Sequence, residues 1–313
     1  MKKAVVTGGA GFIGSHIVEN LLGKNYDVTV LDNLSTGRIS NISSWVKDGS
    51  VEFVQGSITN PRDLKKAFAG ANYVFHEAAI PSVPKSIKRP RPSHDANATG
   101  TLNVLIAARD AGVEKLVYAS SSSAYGDTPT LPKSEDMAPN PLSPYAVSKL
   151  AAEYYCSVFT GVYGLPTASL RYFNVYGPRQ DPNSPYAAVI PIFLRLLQNG
   201  QSPVIFGDGE QTRDFTFVKD VAEANVRVAE SSATGIFNLG NSQRITLNEL
   251  TNKIREITGH TDIKPVYQSP RPGDIKHSLA DISKAKVFGY DPKYGIDEGL
   301  KETCAYFLST EFA

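Results

Sequence analysis

The sequence predicts an α/β fold: a Rossmann-like, doubly wound parallel sheet joined to a smaller, interleaved C-terminal substrate domain. Three observations carry this prediction. Short β-branched and apolar runs alternate with helix-length amphipathic segments, the runs lack the polar alternation of a sheet with one wet face, and the glycine-rich string "TGGAGFIG" follows the first run.

In chain order the strand-like runs are "AVVTG" from Ala4, "DVTVLD" from Asp27, "VEFVQG" from Val51, "YVFHEAA" from Tyr73, "KLVYASS" from Lys115 and "PTASLRYFNVYG" from Pro166. After Gly177 the texture changes. Pieces rich in Gly, Pro and Asp, such as "GPRQDPNSP", "FGDGEQTRD" and "SPRPGD", predict loops with short helices between them. The run "GIFNLGN" at Gly235 is expected to return to the large sheet. Residues 1–173 and 211–246 then form the sheet domain, and 174–210 and 247–313 the smaller one. No internal repeat or low-complexity segment interrupts this scheme.

With 313 residues, 41% of them apolar, the chain can fill a sizeable core. Thirty-two basic and thirty-one acidic side chains leave a net charge of +1, so no general electrostatic capture of nucleic acid or an anionic membrane is expected. Cys156 and Cys304 have neither metal-type nor redox-type spacing, which predicts no metal site, no disulfide and a reducing, cytoplasmic setting. The first run starts just after Met1 and two lysines, so no leader is expected. The apolar stretch "YAAVIPIFLRLL" is too broken by Pro191 and Arg195 to span a bilayer.

The string "TGGAGFIG" satisfies both G-x-G-x-x-G (Gly9, Gly11, Gly14) and G-x-x-G-x-x-G (Gly8, Gly11, Gly14) where a strand hands over to a helix. Such a turn lets a pyrophosphate approach bare backbone at a helix N-terminus. Asp32 stands 18 residues beyond Gly14, at the end of the second run, where a carboxylate can accept the hydroxyls of an adenosine ribose. An anion there repels a 2′-phosphate and no arginine follows it immediately, so the expected cofactor is NAD rather than NADP. Arg38 is the residue that could reverse that preference.

"SPYAVSK" sets Tyr145 four residues before Lys149 on one face of a helix opening near Ser143 and Pro144. An ammonium about 4 Å from a phenol contributes about 4 kcal/mol at an effective dielectric of about 20, roughly three pKa units downward. Tyr145 could then take a proton from a substrate hydroxyl while the adjacent carbon gives hydride to the cofactor. The run "ASSSSAYG" adds four serines just upstream, at least one of which is expected to be a plain polar strand end.

Taken together, the glycine turn, "DNLSTG", "HEAA", "NATGTLN", the serine run, "SPYAVSK" and "RYFNVYGP" resemble the extended short-chain dehydrogenase family, from about Lys2 to about residue 300. Within it the chain most resembles the UDP-hexose 4-epimerases of the UDP-N-acetylglucosamine and UDP-glucose type. The resemblance implies catalytic roles for Ser121, Tyr145 and Lys149, with Ser121 bonding the reacting sugar oxygen. It implies an NAD site built from Gly8, Gly11, Phe12, Ile13 and Gly14, then Asp32, Asn33, Ser35, Thr36 and Gly37. Ser57 and Ile58 would flank adenine, and Ala78, Ala79, Ile80, Asn97 and Tyr172 would complete the wall with Tyr145 and Lys149. Ser57 departs from the family's usual aspartate, which points to weaker adenine binding and to NAD that is not permanently held.

For substrate, the resemblance implies Arg213 and Arg271 on the diphosphate, Asp274 on the uridine ribose, and Asn174 and Ser121 to Ser123 with Tyr145 around the sugar. Ser82 and Val83, Gln180, Ala188 and Val189, and Val204 and Phe206 would line the remaining walls. Related dehydratases and decarboxylases carry acids just ahead of the "VYG"-type tyrosine. Ser122 and Ser123 occupy those places here, so a leaving hydroxyl has no general acid. Ser278, where strict non-acetylated epimerases carry a tyrosine, leaves volume for an N-acetyl group, whereas Pro81 stiffens the opposite wall. The implied reaction is reversible epimerisation at carbon 4 of UDP-N-acetylglucosamine or UDP-N-acetylgalactosamine, with UDP-glucose and UDP-galactose as further substrates. Epimerisation of UDP-glucuronate, a sugar-nucleotide dehydratase or reductase, and a non-catalytic NAD-binding regulator are the alternatives. A homodimer through the segments near Ser93 to Ala111 and Ser143 to Gly164 is also implied.

Overall fold

The computed structural model describes residues 1–181, 188–270 and 275–309. In chain order the first part forms β1 (Lys3–Thr7), α1 (Phe12–Gly23), β2 (Asp27–Asp32), α2 (Ser43–Lys47), β3 (Val51–Gln55), α3 (Pro61–Ala67), β4 (Tyr73–His76), α4 (Val83–Lys88), α5 (Pro90–His94), α6 (Gly100–Asp110) and β5 (Lys115–Ser121). Next come α7 (Pro144–Tyr163), β6 (Thr167–Tyr172), β7 (Val175–Tyr176), α8 (Val189–Gln198), β8 (Val204–Phe206), β9 (Thr212–Arg213) and β10 (Thr216–Phe217). The last elements are α9 (Val218–Glu230), β11 (Gly235–Leu239), β12 (Ile245–Thr246), α10 (Leu247–Thr258), β13 (Val266–Gln268) and α11 (Ile296–Ser309).

Among the described residues, seven strands make one parallel sheet in the order β11-β6-β5-β4-β1-β2-β3. Its strands are buried on both faces, as their unbroken apolar runs predict. Ala4 and Val6 of β1 join the core formed with α1 and α9, while Val5 between them joins the core formed with α3, α6 and α7. The strand order reverses between β1 and β4. That reversal opens a crevice at the carboxyl ends of the strands, the place where doubly wound sheets bind ligands.

The helix carrying Tyr145 starts where the sequence sets it. The Ser143 hydroxyl accepts the Ala146 N–H at 3.1 Å, and Pro144 sits in the first turn. A further anchor is legible only in three dimensions: the Tyr145 N–H donates to Ser86 Oγ of α4 at 3.0 Å.

Two expectations need correction. "PTASLRYFNVYG" is not one strand: β6 ends at Tyr172, Asn174 takes φ +34°, and β7 leaves the large sheet to pair with β10. The helices after Gly177 are not short, since α8 to α11 run 10 to 14 residues. Pro191 lies in the first turn of α8, where a missing N–H costs no helical bond. These helices close a separate core in which Phe193, Leu194 and Leu197 of α8 meet Leu250 and Ile254 of α10 and Leu300, Cys304 and Phe307 of α11. No helix among the described residues is long and apolar enough to cross a membrane.

Candidate active site

The glycine turn between β1 and α1 packs without room for a side chain. A Cβ on Gly14 would lie 2.3 Å from the Gly8 carbonyl oxygen, and one on Gly8, at φ +71°, would lie 2.7 Å from Ala78 N. Gly11 caps α1 with no side-chain bond, and no acid stands in the first turn around Phe12, Ile13 and Gly14. The helix therefore presents bare N–H groups and positive dipole to the crevice, a fit for a pyrophosphate. Asp32 is buried at the end of β2, accepting from Ala10 N at 3.0 Å and Leu34 N at 2.8 Å. Burial raises its pKa and these two bonds oppose the rise, so the carboxylate is oriented with lone pairs left for a ribose.

Asn33, Ser35 and Thr36 are exposed beside Asp32, with Gly37 half-buried behind them. Arg38 is tied to Asp181 at 2.6 Å, so its guanidinium is engaged away from a 2′-phosphate role. At the adenine end, Ile58 is buried and Ser57 is held through its N–H by the Asp63 carboxylate at 2.8 Å.

Ala78, Ala79 and Ile80 form a half-buried loop after β4. Asn97 is only 1% exposed, and its amide is bonded on both sides. Its Oδ1 accepts from Ile80 N at 2.8 Å and its Nδ2 donates to Ser148 Oγ at 3.1 Å, on a π-helical turn spanning Asp95–Thr99. Asn97 therefore fixes the loop and the catalytic helix from behind. His76 braces the same layer: it accepts from Thr7 Oγ1 at 2.7 Å and donates to Thr101 Oγ1 at 2.9 Å, because the Thr101 hydroxyl already donates to Asn97 O.

Ser121, Tyr145 and Lys149 converge at the end of β5. The Ser121 hydroxyl stands near enough to the half-buried Tyr145 phenol to draw its pKa down. Lys149 is 4% exposed and donates to Ala119 O at 2.7 Å, with its ammonium 5.0 Å from the Tyr118 ring. Opposing influences act on the phenol's pKa. Desolvation raises Tyr145, the Ser121 hydroxyl opposes it, and the Glu77 charge adds to the rise. Lys149 is itself lowered by burial, with Glu77 pulling the other way. The helix spacing places Lys149 beside the phenol, with its ammonium anchored on Ala119 O and balanced by the Glu77 carboxylate.

The serine run divides its work. Ser120 is the structural one: it is 3% exposed and donates to Glu153 Oε2 at 2.8 Å. Glu153 pairs bidentately with Arg171 at 2.6 and 3.0 Å, and both side chains are buried. Ser122 and Ser123 are half-buried on a single 3₁₀ turn, and Ser123 Oγ is a buried atom without a partner.

On the substrate side, the Asn174 amide donates to Asp214 O at 2.9 Å from its left-handed backbone. Gln180 Oε1 is buried without a partner, and its Nε2 donates to Val175 O at 3.2 Å. Two orphaned polar atoms at the crevice suit a hydroxyl-rich ligand. Val204 and Phe206 lie on β8, where Phe206 lines a cleft of about 660 Å³ with Tyr267, Gln268 and Ser269. Arg213 is half-buried on β9, donating to Thr212 O at 3.0 Å, and Ser278 is half-buried opposite, its N–H on Thr212 O at 3.1 Å. Ala188 and Val189 open α8, and exposed Val83 begins α4. Ser82 caps α4 by accepting Lys85 N at 3.2 Å, a local role its sequence position hides. Arg271 and Asp274 lie outside the described residues.

Sequence reasoning missed Asp214, Glu77 and Asn225. Asp214 is fully buried and accepts from Asn241 N at 2.7 Å, Ala280 N at 2.9 Å and Ser242 N at 3.1 Å, so it fixes the segment that carries Ser278. The "TRDF" string is the one signal that could have shown it.

Comparison with known proteins agrees with this geometry. Residues 4–240 match the model of the NAD dependent epimerase/dehydratase family. A putative UDP-glucose 4-epimerase of Methanocaldococcus jannaschii is 43% identical over 299 residues, 95% of each chain. Among solved structures, the UDP-N-acetylglucosamine 4-epimerase of Methanobrevibacter ruminantium, in complex with UDP-N-acetylmuramic acid, superposes with a TM-score of 0.95 at 43% identity over 98% of both chains. The UDP-glucose 4-epimerase of Thermus thermophilus, solved with NAD, superposes with a TM-score of 0.89 at 39% identity, covering 99% of this chain and 100% of that one. A parallel sheet with a glycine turn at its switch point, a serine-tyrosine-lysine cluster at the end of β5 and this extent of likeness lead to one conclusion: the chain belongs to the NAD dependent epimerase/dehydratase family.

Proposed function

We propose that the protein is an NAD-dependent UDP-sugar 4-epimerase, acting on UDP-N-acetylglucosamine and UDP-N-acetylgalactosamine and also on UDP-glucose and UDP-galactose. The carrying observation is the convergence of the Ser121 and Tyr145 hydroxyls, with Lys149 on the same helix face. When bound, NAD supplies reversible hydride acceptance. Tyr145 takes the proton of the 4-hydroxyl with Ser121 as its hydrogen-bonded partner, and returns it to the ketone oxygen once the sugar has turned. The site holds no carboxylic acid at Ser122 or Ser123 to expel water, which favours epimerisation over elimination. Asp32, the α1 N-terminus and the loop at Ala78 hold the dinucleotide, while Arg213 and Arg271 hold the diphosphate.

The division into residues 1–173 with 211–246 for NAD, and 174–210 with 247–313 for the UDP-sugar, fits the return of β11 to the large sheet and the separate core of α8, α10 and α11. A homodimer is supported by an apolar stripe on α7: Val147, Tyr154, Val158 and Val162 are 49%, 53%, 48% and 71% exposed at helical spacing. A reducing, cytoplasmic setting is supported by two buried, unpaired thiols, Cys156 and Cys304.

The test is to supply purified protein and NAD with UDP-N-acetylglucosamine, UDP-glucose or UDP-glucuronate and resolve products by proton NMR. Formation of the 4-epimer of the acetylated sugar is expected, and Tyr145→Phe should slow it by about 10²–10⁴-fold. A keto product or stoichiometric NADH would overturn the reading in favour of net redox or dehydration.

A further inference from the structure

Glu77 is the first residue beyond β4, beside the point where the sheet order reverses. Its N–H donates to Thr7 O at 3.0 Å, and its carbonyl carbon would lie 3.0 Å from a Cβ on Gly8, so its backbone underlies the dinucleotide turn. Its side chain is half-buried and turned toward the end of β6. There the Tyr172 hydroxyl donates to Glu77 Oε1 at 2.8 Å, and the same hydroxyl accepts from Asn225 Nδ2 at 2.8 Å. Asn225, fully buried on α9, is held in turn by Val221 O at 2.8 Å. Three elements thus cooperate to keep one carboxylate at the base of the crevice.

That carboxylate has no cationic side chain within 4 Å among the described residues. The titratable groups that face it are Lys149 and Tyr145 of α7 and Tyr172 of β6. Lys149, the one cation of this set, is bonded to Ala119 O instead. An acid kept in such a place without a contact ion is costly, and a neutral glutamine would satisfy Tyr172 equally well. The charge itself is therefore the feature to explain.

We propose that Glu77 is a positioning residue whose charge, fixed by Tyr172 and Asn225, poises the crevice for the oxidised, cationic nicotinamide over the neutral reduced form. This rests on the epimerase reading, in which one NAD must be returned to its oxidised state in each turnover. A neighbouring carboxylate attracts a cationic ring and is indifferent to a neutral one. Burial holds the Glu77 carboxyl above the ordinary carboxylate range, against the pull of Tyr172 and Lys149. The preference should therefore strengthen as pH rises and the group ionises.

The experiment is to measure binding of NAD⁺ and of NADH by calorimetry between about pH 5.5 and pH 8.5, the window around a raised carboxylate pKa, for the wild type, Glu77→Gln and Glu77→Asp, with thermal unfolding as a fold control. In Glu77→Gln the ratio of NAD⁺ to NADH affinity should fall about tenfold, equivalent to about 1.4 kcal/mol, and lose its pH dependence. The acid limb of kcat/KM should also move to lower pH, because removing a negative charge lowers the Tyr145 phenol. Glu77→Asp keeps the charge and should keep the pH-dependent preference even where Glu77→Gln is too unstable to assay. An unchanged ratio in Glu77→Gln, or a pH-independent ratio in the wild type or in Glu77→Asp, overturns the proposal. Wild-type epimerisation is scored separately: if it occurs while the ratio is unmoved, only the role of Glu77 fails, and if the wild type binds neither nucleotide, the epimerase reading fails first.

Discussion

The two ends of the crevice are built differently. Under the glycine turn, most polar side chains are bonded into the frame, Asn97 to Ile80 and Ser148, His76 to Thr7 and Thr101, Lys149 to Ala119, Glu153 to Arg171, while Asn20 Oδ1 and Arg171 Nη1 are left without partners. At the sugar end, Arg213 and Phe206 stand on strands of two and three residues, and Ser123 and Gln180 keep buried atoms without partners. The difference teaches where an enzyme of this kind spends rigidity. The dinucleotide end is over-determined by the sheet, whereas the sugar end keeps polar capacity in reserve for a ligand that must turn over within the site.

The largest way to break this contrast is to attack the rigid end. Arg171→Met should leave Glu153 as an unpaired buried charge beneath Ser120, costing about 3–5 kcal/mol in denaturant unfolding. A loss below about 1 kcal/mol would show that the frame is not braced there.

Acid should act on the two ends with opposite sign. His16, 4% exposed and bonded to Pro178 O at 3.0 Å, has its pKa lowered to about 4 by burial. Between about pH 6.5 and pH 4 the unfolded chain takes up a proton that the folded chain refuses, so this residue's stability contribution falls as pH falls. His16→Gln should therefore remove about 1.4 kcal/mol per pH unit of that slope. Asp214, raised to about 6 by burial, works in reverse: the folded chain takes up its proton first, and stability is gained as pH falls through about 6. Asp214→Asn should therefore steepen the acid loss over the same range, and equal slopes in wild type and both variants would sink the assignment.

At the sugar end, Ser278→Tyr should change choice more than stability. Filling that space is expected to lower kcat/KM for the acetylated sugar by about 10–100-fold while leaving UDP-glucose within about threefold. Equal losses on both substrates would mean that Ser278 is no gate. The smallest thermodynamic effect is expected outside the crevice: Val162→Glu should leave the monomer within about 0.5 kcal/mol yet shift sedimentation from dimer toward monomer.

Much of the rigid end is legible in the sequence, because its determinants are local. A glycine that would clash with Gly8 O, a serine that caps α7 and two residues four apart on a helix are fixed by spacing within one element. The same reasoning fails where partners are distant in the chain. Nothing in "HEAA" shows that Glu77 meets Tyr172, 95 residues away, and nothing in "SLAD" shows that Ala280 N is held by Asp214, 66 residues earlier. Even the Tyr145 and Lys149 pair, correctly spaced, has its electrostatics set by burial, Ala119 O and Glu77 rather than by the four-residue interval.

The sequence by itself determined the succession of strand-forming runs, the dinucleotide turn, the helix that presents Tyr145 and the serines that replace acids. Tertiary structure alone decided which serine is structural, that Asn97 ties the Ile80 loop to the catalytic helix, and which carboxylates surround the site. The physical reason is that helix spacing, caps and glycine turns are short-range and geometric, while desolvation and charge depend on every element packed around a group.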